Sequence, residues 1–179
     1  MRHGLLHSFG VVTAAVSALV AGPAWADAVG PYYATPSWDQ TLPASTRFIV
    51  LSNMAGAAVL DRETGLVWEK APTGGGTWIG AQRYCNLLSV GNRQGWRLPT
   101  LQELTSLVDT SVNALPNLPA GHPFTITAIG FWSATTSAEF SGLAWLGVFT
   151  STNLTSSPQN KLSTFNVWCV RGGQGVDPQ

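Results

Sequence analysis

The sequence contains little charge. Asp, Glu, Lys and Arg make up 10% of its 179 residues, and nine acidic side chains balance nine basic ones. Proteins that hold phosphate backbones or anionic lipid surfaces carry an excess of Lys and Arg. The composition therefore predicts that the chain does not bind nucleic acid, and its length is that of about one domain with its own hydrophobic core.

Histidine and cysteine are also scarce, with three and two residues respectively. The spacings typical of zinc and calcium sites are absent, as is the G-x-S-x-G motif of many serine hydrolases. We therefore expect no metal, no cofactor, no catalytic residue and no enzymatic activity. One alternative stays open, a hydrolase that uses His122 in AGHPF or a carboxylate pair drawn from Glu69, Glu103, Asp109 and Glu139.

The first 26 residues have the pattern of a signal peptide. Arg2 precedes a mostly apolar run over 5–21, and Ala24-Trp25-Ala26 fits the small-x-small rule for cleavage. We expect residues 1–26 to be removed and the mature chain to begin at Asp27, exported to the periplasm or to the extracellular space and cell surface without membrane insertion. The alternative, an uncleaved membrane anchor, needs a longer apolar run.

Export gives meaning to the two cysteines, Cys85 and Cys169. An even number of cysteines in an oxidising compartment favours a disulfide over a metal site or a catalytic thiol. Closing a loop of this length would stabilise the fold by about 4 to 5 kcal/mol in the chain-entropy description. Two separate buried thiols are the alternative.

The remaining pattern predicts a leader, one domain and a short tail. Residues 27–46 contain three prolines and no regular period, so they form a leader or linker segment. The domain covers 47–173, and 174–179 are a C-terminal tail. From Arg47 onward the runs RFIVLS, AAVLD and LVWEK are short and β-rich, with DRETG as a turn, which predicts an opening hairpin.

Helical spacing follows the glycine-rich segment APTGGGT, which we interpret as a flexible connection. Trp78, Ala81, Cys85 and Leu88 recur at helical intervals, and Thr77 precedes them as a candidate N-cap. Cys85 is therefore expected on the inward face of a first helix.

A second helix is predicted over about 101–109, because Thr100 and Glu103 have the spacing of a capping box. Beyond it the helical signal ends. Residues 111–127 are a long loop punctuated by proline, and FWSATT, LAWLGVFT and TFNVWCVRGG alternate like strands. This order of elements predicts an α+β fold with antiparallel strands.

Six segments in this order resemble one known pattern: DRETGLVWEK, TWIGAQRYCNLL, GWRLPTLQELTSLVD, FWSATT, AWLGVF and VWCVRGG. Together they resemble the Lcl C-terminal domain family, a bacterial domain of largely unknown function in the C-type-lectin-like superfamily. The resemblance implies two helices packed on a curved antiparallel sheet, a long-loop region that carries the ligand site, and a Cys85–Cys169 disulfide. Some members form part of surface adhesins, and one is associated with binding of sulfated glycosaminoglycans.

Within GWRLPTLQEL, we interpret Arg97, Pro99, Thr100 and Glu103 as a structural latch. The planar guanidinium of Arg97 can donate several hydrogen bonds to loop carbonyls or to a carboxylate, and Pro99 fixes the start of the helix. The alternative is that Arg97 binds a ligand.

The stretch TSTNLTSSPQNKLST, residues 150–164, supplies many uncharged hydrogen-bonding groups. It suits a polar binding surface on loops, and a solvated hairpin tip is the alternative. The candidate ligand-binding residues in this stretch are Asn153, Gln159, Asn160 and Lys161. Trp145 in LAWLG is a further candidate, as a stacking platform, unless it belongs to the core.

These patterns predict a secreted, non-enzymatic recognition or adhesion module that binds a glycan or a protein at the cell surface through loops between 111 and 163. Those loops contain one lysine and no arginine, which disfavours a sulfated polysaccharide. The calcium-binding motifs of sugar-binding lectins are absent, and Pro116-Asn117 is their nearest echo. The alternative is a structural or assembly protein of the periplasm or cell envelope, including one that forms a homo-oligomer.

Overall fold

The computed structural model describes residues 41–173. The predicted signal peptide, the leader up to residue 40 and the tail over 174–179 lie outside the described residues. Between residues 41 and 173 the chain forms helices α1 (Ala44–Arg47), α2 (Trp78–Leu87) and α3 (Leu101–Ser106), together with a 3₁₀ turn over Ser52–Met54.

The strands in this range form two five-stranded sheets. They are β1 (Phe48–Val50), β2 (Ala58–Asp61), β3 (Leu66–Glu69), β4 (Gly74–Gly76), β5 (Trp96–Arg97), β6 (Gly130–Thr136), β7 (Leu143–Phe149), β8 (Leu154–Asn160), β9 (Phe165–Val167) and β10 (Val170–Arg171). Sheet A has the order β1-β2-β3-β10-β5, and sheet B has the order β4-β9-β6-β7-β8. The pairings are antiparallel, except that β6 runs parallel to β9. The fold is therefore α+β with largely antiparallel strands, as predicted, but with two sheets.

Helix α2 begins where the sequence predicts. The Oγ1 atom of Thr77 accepts a hydrogen bond from the N–H of Gly80 at 3.3 Å, which satisfies one of the free donors of the first turn. Trp78, Ala81 and Cys85 are buried, and their spacing places them on one face of the helix. This face packs α2 into the same apolar cluster as sheet B residues.

Helix α3 starts with the predicted capping box, in which Thr100 and Glu103 exchange side-chain and backbone hydrogen bonds. It ends at Ser106, three residues short of the predicted Asp109. The N–H of Asp109 donates to the carbonyl of Asn117 in the long loop, at 2.9 Å, rather than to the preceding helical turn. The loop therefore competes for the backbone donor that would extend the helix.

The two faces of sheet B belong to different apolar clusters. Phe131 and Phe149 lie in the cluster that contains Leu104 of α3. Trp132 and Leu146 point to the opposite face and lie in the cluster that contains α2 residues. Since successive strand residues face opposite sides of a sheet, sheet B lies between α2 and α3.

Most of the polar stretch 150–164 is strand and not loop. All seven residues of β8 pair with β7, from Leu154 opposite Phe149 to Asn160 opposite Leu143. The hairpin tip is confined to residues 150–153. Polar residues and Pro158 are tolerated in this strand because β8 lies at the edge of sheet B, where one backbone face needs no partner.

Two other segments also differ from the predicted secondary structure. One lies near the C-terminus and the other is the glycine run. TFNVWCVRGG, predicted as one strand, is divided between β9 in sheet B and β10 in sheet A. The glycines of APTGGGT, predicted as a flexible connection, form β4 and pair with β9. The packing explains why position 74 is a glycine, because a Cβ atom there would lie 2.6 Å from the ring of Tyr84.

Candidate functional site

One surface concavity of the described residues lies where two turns meet at one end of sheet B. It has a volume of about 650 Å³ and is formed by the β6–β7 turn and the β8–β9 turn. We call it the turn groove. Its lining residues are Glu139, Phe140, Ser141, Gly142, Leu143, Asn160, Lys161 and Leu162.

The turn groove is held together through Lys161. The backbone N–H of Lys161 donates to the carbonyl of Gly142 at 2.9 Å, and its carbonyl accepts the N–H of Trp78 at 3.0 Å. Its Nζ atom donates to the carbonyl of Ser141 at 2.7 Å and lies 4.4 Å from the ring centroid of Trp78. A cation at that distance from a tryptophan face is attracted to it. The lysine therefore ties both turns to the start of α2.

Two apolar side chains of the turn groove are largely exposed to solvent. Phe140 is 61% exposed and Leu162 is 81% exposed. Both belong to short turns whose backbones are fixed by the bonds around Lys161 and by the bond from the N–H of Leu143 to the carbonyl of Phe140, at 2.9 Å. The groove thus offers apolar anchors on a defined backbone, with the polar groups of Glu139 and Asn160 beside them.

The structure brings only two of the predicted ligand-binding residues together in this groove, Asn160 and Lys161. Asn153 lies at the opposite end of the β7–β8 hairpin, where its carbonyl accepts from Thr150 at 2.8 Å. The amide of Gln159 donates to Ser157 within β8. Trp145 is half-buried on β7, opposite Pro158.

Sequence reasoning did not select Phe140 or Leu162. An apolar residue in a short turn carries no signal that separates it from a core residue. Their neighbours are suggestive, because AEFSG and NKLST place a single apolar residue among small and polar ones, which is typical of a solvent-exposed turn.

Three of the four latch residues, Arg97, Thr100 and Glu103, are joined by hydrogen bonds. Arg97 donates to the carbonyl of Leu98 at 3.1 Å and to that of Gly172 at 2.6 Å, and both of its Nη atoms contact the carboxylate of Glu103. That carboxylate also accepts the N–H of Thr100 at 2.8 Å. In this arrangement the guanidinium is engaged by protein acceptors.

The Cys85–Cys169 disulfide is present and joins α2 to the segment between β9 and β10. Both cysteines are fully buried. Beside them, Oε2 of Glu69 accepts the N–H of Cys169 at 2.9 Å. Burial raises the pKa of the Glu69 carboxyl to about 7, against a smaller lowering by that hydrogen bond.

The groups considered for hydrolysis lie on separate elements. Glu69 is on β3, Glu103 on α3, and Glu139 in the β6–β7 turn. His122 packs against Phe124, whose N–H donates to its Nδ1 atom at 3.2 Å, and burial lowers the pKa of the His122 imidazole. Over residues 41–173 no group of three or more His, Cys, Asp or Glu side chains is arranged to hold a metal ion.

Pro116-Asn117, the segment most similar to a calcium-binding lectin motif, also faces the protein interior. Asn117 is fully buried in the long loop, and its carbonyl accepts from Asp109. No helix within the described range is long and apolar enough to cross a membrane.

The architecture defines a class of protein: an α+β domain with two sheets, one internal disulfide and a surface groove built from turns. The sequence profile of the Lcl C-terminal domain matches residues 57–171, which is more than half of the chain. The chain therefore belongs to the Lcl C-terminal domain family. A search of curated proteins finds no match to it.

Proposed function

We propose that the protein is an exported, non-enzymatic recognition or adhesion module of C-type-lectin-like fold, which binds a glycan or a protein at the cell surface through the turn groove. The observation that carries this proposal is the exposure of Phe140 and Leu162 on a backbone that Lys161 fixes. Exposed apolar groups rimmed by polar ones are typical of binding sites.

The chemistry of the turn groove fits either ligand class. The ring of Phe140 can stack on the apolar face of a sugar or receive an apolar side chain of a protein. The carboxylate of Glu139 and the amide of Asn160 can then bond to hydroxyl or backbone groups. Because the backbone of both turns is already ordered, binding costs less conformational entropy than it would on free loops.

Export is supported by the disulfide, since such bonds persist in oxidising compartments. The signal peptide over 1–26 remains a prediction from the sequence. The periplasm and the extracellular surface both fit these features.

A glycan array probed with residues 27–179, with and without calcium, tests the proposal. We expect specific binding that Phe140→Ala and Leu162→Ala weaken by about tenfold or more, as loss of an apolar anchor does. Leu87→Ala is the matched control, because Leu87 is 70% exposed on α2 and outside the groove. Binding that is unchanged in both groove variants would place the ligand elsewhere.

The same variants separate glycan from protein ligands and test the role of charge. A blank array, followed by binding of a surface protein that Phe140→Ala abolishes, would assign a protein ligand. The turn groove contains one lysine, whose ammonium is engaged, so heparin binding should be weak at both low and high salt. Strong, salt-sensitive heparin binding that Phe140→Ala weakens would contradict this.

One observation favours the alternative of an envelope assembly protein. Strand β1 lies at the edge of sheet A, and Ile49 and Val50 are 42% and 39% exposed. An exposed edge strand can pair with another chain. Light scattering decides: a homo-oligomer that Ile49→Lys converts to monomers would support assembly through this edge.

A further inference from the structure

The outward face of sheet A carries a second concavity, which the proposed function does not use. It has a volume of about 330 Å³, at the lower end of the range for small-molecule sites. We call it the arginine groove. Its lining residues are Leu51, Asn53, Met54, Leu60, Val67, Arg93 and Arg171.

The floor of the arginine groove is apolar and its end is cationic. Leu60 on β2 pairs with Val67 on β3, and Val67 pairs with Arg171 on β10. Residues opposite each other in a sheet project to the same face, so these three side chains form a row across the strands. Leu60 and Val67 are only half-buried.

The two arginines carry positive charge that no carboxylate of the described part of the chain neutralises. Arg47 and Arg97 form ion pairs with acidic side chains, whereas Arg93 and Arg171 form none. The Nε atom of Arg171 donates to the carbonyl of Gln94 at 2.8 Å, which leaves its two Nη atoms out of that bond.

The rim that presents Arg93 is fixed before any ligand binds. The N–H of Arg93 donates to the carbonyl of Val90 at 3.0 Å, and its carbonyl accepts the Nε1–H of Trp96 at 2.8 Å. Gly91 lies directly on the 3₁₀ turn, since a Cβ atom at Gly91 would be 2.4 Å from the Cα of Met54. The hairpin over 88–95 is therefore packed against the 3₁₀ turn, whose Met54 also lines the groove.

We propose that the arginine groove binds a small organic anion with an apolar body, whose carboxylate, sulfonate or phosphate contacts the guanidinium groups of Arg93 and Arg171 while the apolar body covers Leu60 and Val67. Guanidinium groups bind such oxyanions through two parallel hydrogen bonds. Removing the apolar floor from water adds affinity that an inorganic anion or a polar polysaccharide does not gain.

A pair of fluorescent probes tests both halves of this proposal on residues 27–179. Anilinonaphthalene sulfonate has an aromatic body and one anionic group, and N-phenylnaphthylamine has the same body without the charge. We expect the anionic probe to bind at one site and to bind about tenfold or more tightly than the neutral probe, since hydrogen bonds to charged groups contribute at least that factor. Its affinity should fall as salt is added.

Substitutions locate the site. Arg93→Gln should weaken the anionic probe by about tenfold and leave the neutral probe unchanged, and Arg171→Lys, which keeps the charge, should bind more tightly than Arg171→Gln. Arg83→Gln is the control, because Arg83 is exposed on α2 and does not line the groove. Thermal unfolding of each variant shows whether the fold is retained. Unchanged binding by folded Arg93→Gln, or equal binding of both probes, would overturn the proposal.

Competition then identifies the class of anionic group. Decanoate and decyl phosphate, each below its micelle concentration, should displace the anionic probe, and decanol should not. Displacement by only one of the two assigns the carboxylate or the phosphate class. Displacement by decanol as effectively as by the anions would show an apolar site without charge selection and would contradict the inference.

Discussion

The guanidinium of Arg97 faces the carboxylate of Glu103 in a two-point ion pair, with Nη1 to Oε2 at 2.8 Å and Nη2 to Oε1 at 2.7 Å. Glu103 is also the third residue of α3 and, with Thr100, forms the capping box of that helix. Through Arg97 the same carboxylate is connected to the carbonyl of Gly172, just after β10. The side chain of Arg97 thus connects the start of α3 to the residue that follows β10.

Arg97→Lys should lower the free energy of unfolding by about 1 to 2 kcal/mol, because an ammonium cannot match the two-point geometry and reach Gly172 at once. Urea unfolding followed by tryptophan fluorescence measures the change. Arg83→Lys, at an exposed position of α2, is the control and should change stability little. Equal midpoints for wild type and Arg97→Lys would show that the latch does not stabilise the fold.

Loss of the disulfide should cost more. Cys85 and Cys169 are 84 residues apart, and closing a loop of that length removes unfolded-state entropy worth about 4 to 5 kcal/mol. We expect the Cys85→Ala/Cys169→Ala variant to unfold at much lower urea than wild type, and reductant to destabilise wild type alone. Reductant that leaves the wild-type midpoint unchanged would contradict a stabilising bond.

The raised pKa of the Glu69 carboxyl predicts an unusual pH dependence of stability. Its pKa is raised from 4.5 to about 7 by burial, so the folded protein holds a proton that the unfolded chain releases. The stabilisation is complete below the unfolded pKa and is lost as the pH rises through the folded pKa. The free energy of unfolding contributed by Glu69 therefore falls between pH 4.5 and about 7.

Glu69→Gln should remove this dependence, since glutamine keeps an acceptor for the N–H of Cys169 but does not ionise. Relative to wild type, the variant should gain about 1 to 3 kcal/mol of stability as the pH is raised across that window. Urea midpoints at several pH values measure the difference. Glu139→Gln, at an exposed carboxyl, is the control and should follow the wild-type curve. A constant offset between Glu69→Gln and wild type would refute the raised pKa.

Local interactions could be predicted from the sequence because their determinants lie within a few residues. Thr77 caps α2, and Thr100 and Glu103 form the capping box of α3. The disulfide was also predictable, since there are only two cysteines and one pairing. The β-rich runs at the start of the domain became β1, β2 and β3.

Pairing between distant segments could not be predicted in the same way. The mostly polar segment Leu154–Asn160 becomes β8 because β7 lies beside it, and a run of glycines becomes β4 because β9 does. Neither segment has strand propensity of its own. The turn groove depends on the same long-range pairings, so only Asn160 and Lys161 of its lining were among the predicted ligand-binding residues.

Two glycines with left-handed backbones give a matched test of the close contact between the hairpin that carries Arg93 and the 3₁₀ turn. Gly91 has φ +58° and Gly121 has φ +83°, but a Cβ atom would meet the backbone of Met54 only at Gly91 and has open space at Gly121. Gly121→Ala should therefore cost only the backbone strain, about 1 to 2 kcal/mol. Gly91→Ala should cost clearly more, because the hairpin must lift off the 3₁₀ turn. Urea unfolding measures both costs, and equal destabilisation would mean that the close contact with Met54 is relieved without displacing the hairpin. If the hairpin is displaced, folded Gly91→Ala should also bind anilinonaphthalene sulfonate more weakly than Gly121→Ala, because Arg93 then leaves its place in the lining of the arginine groove.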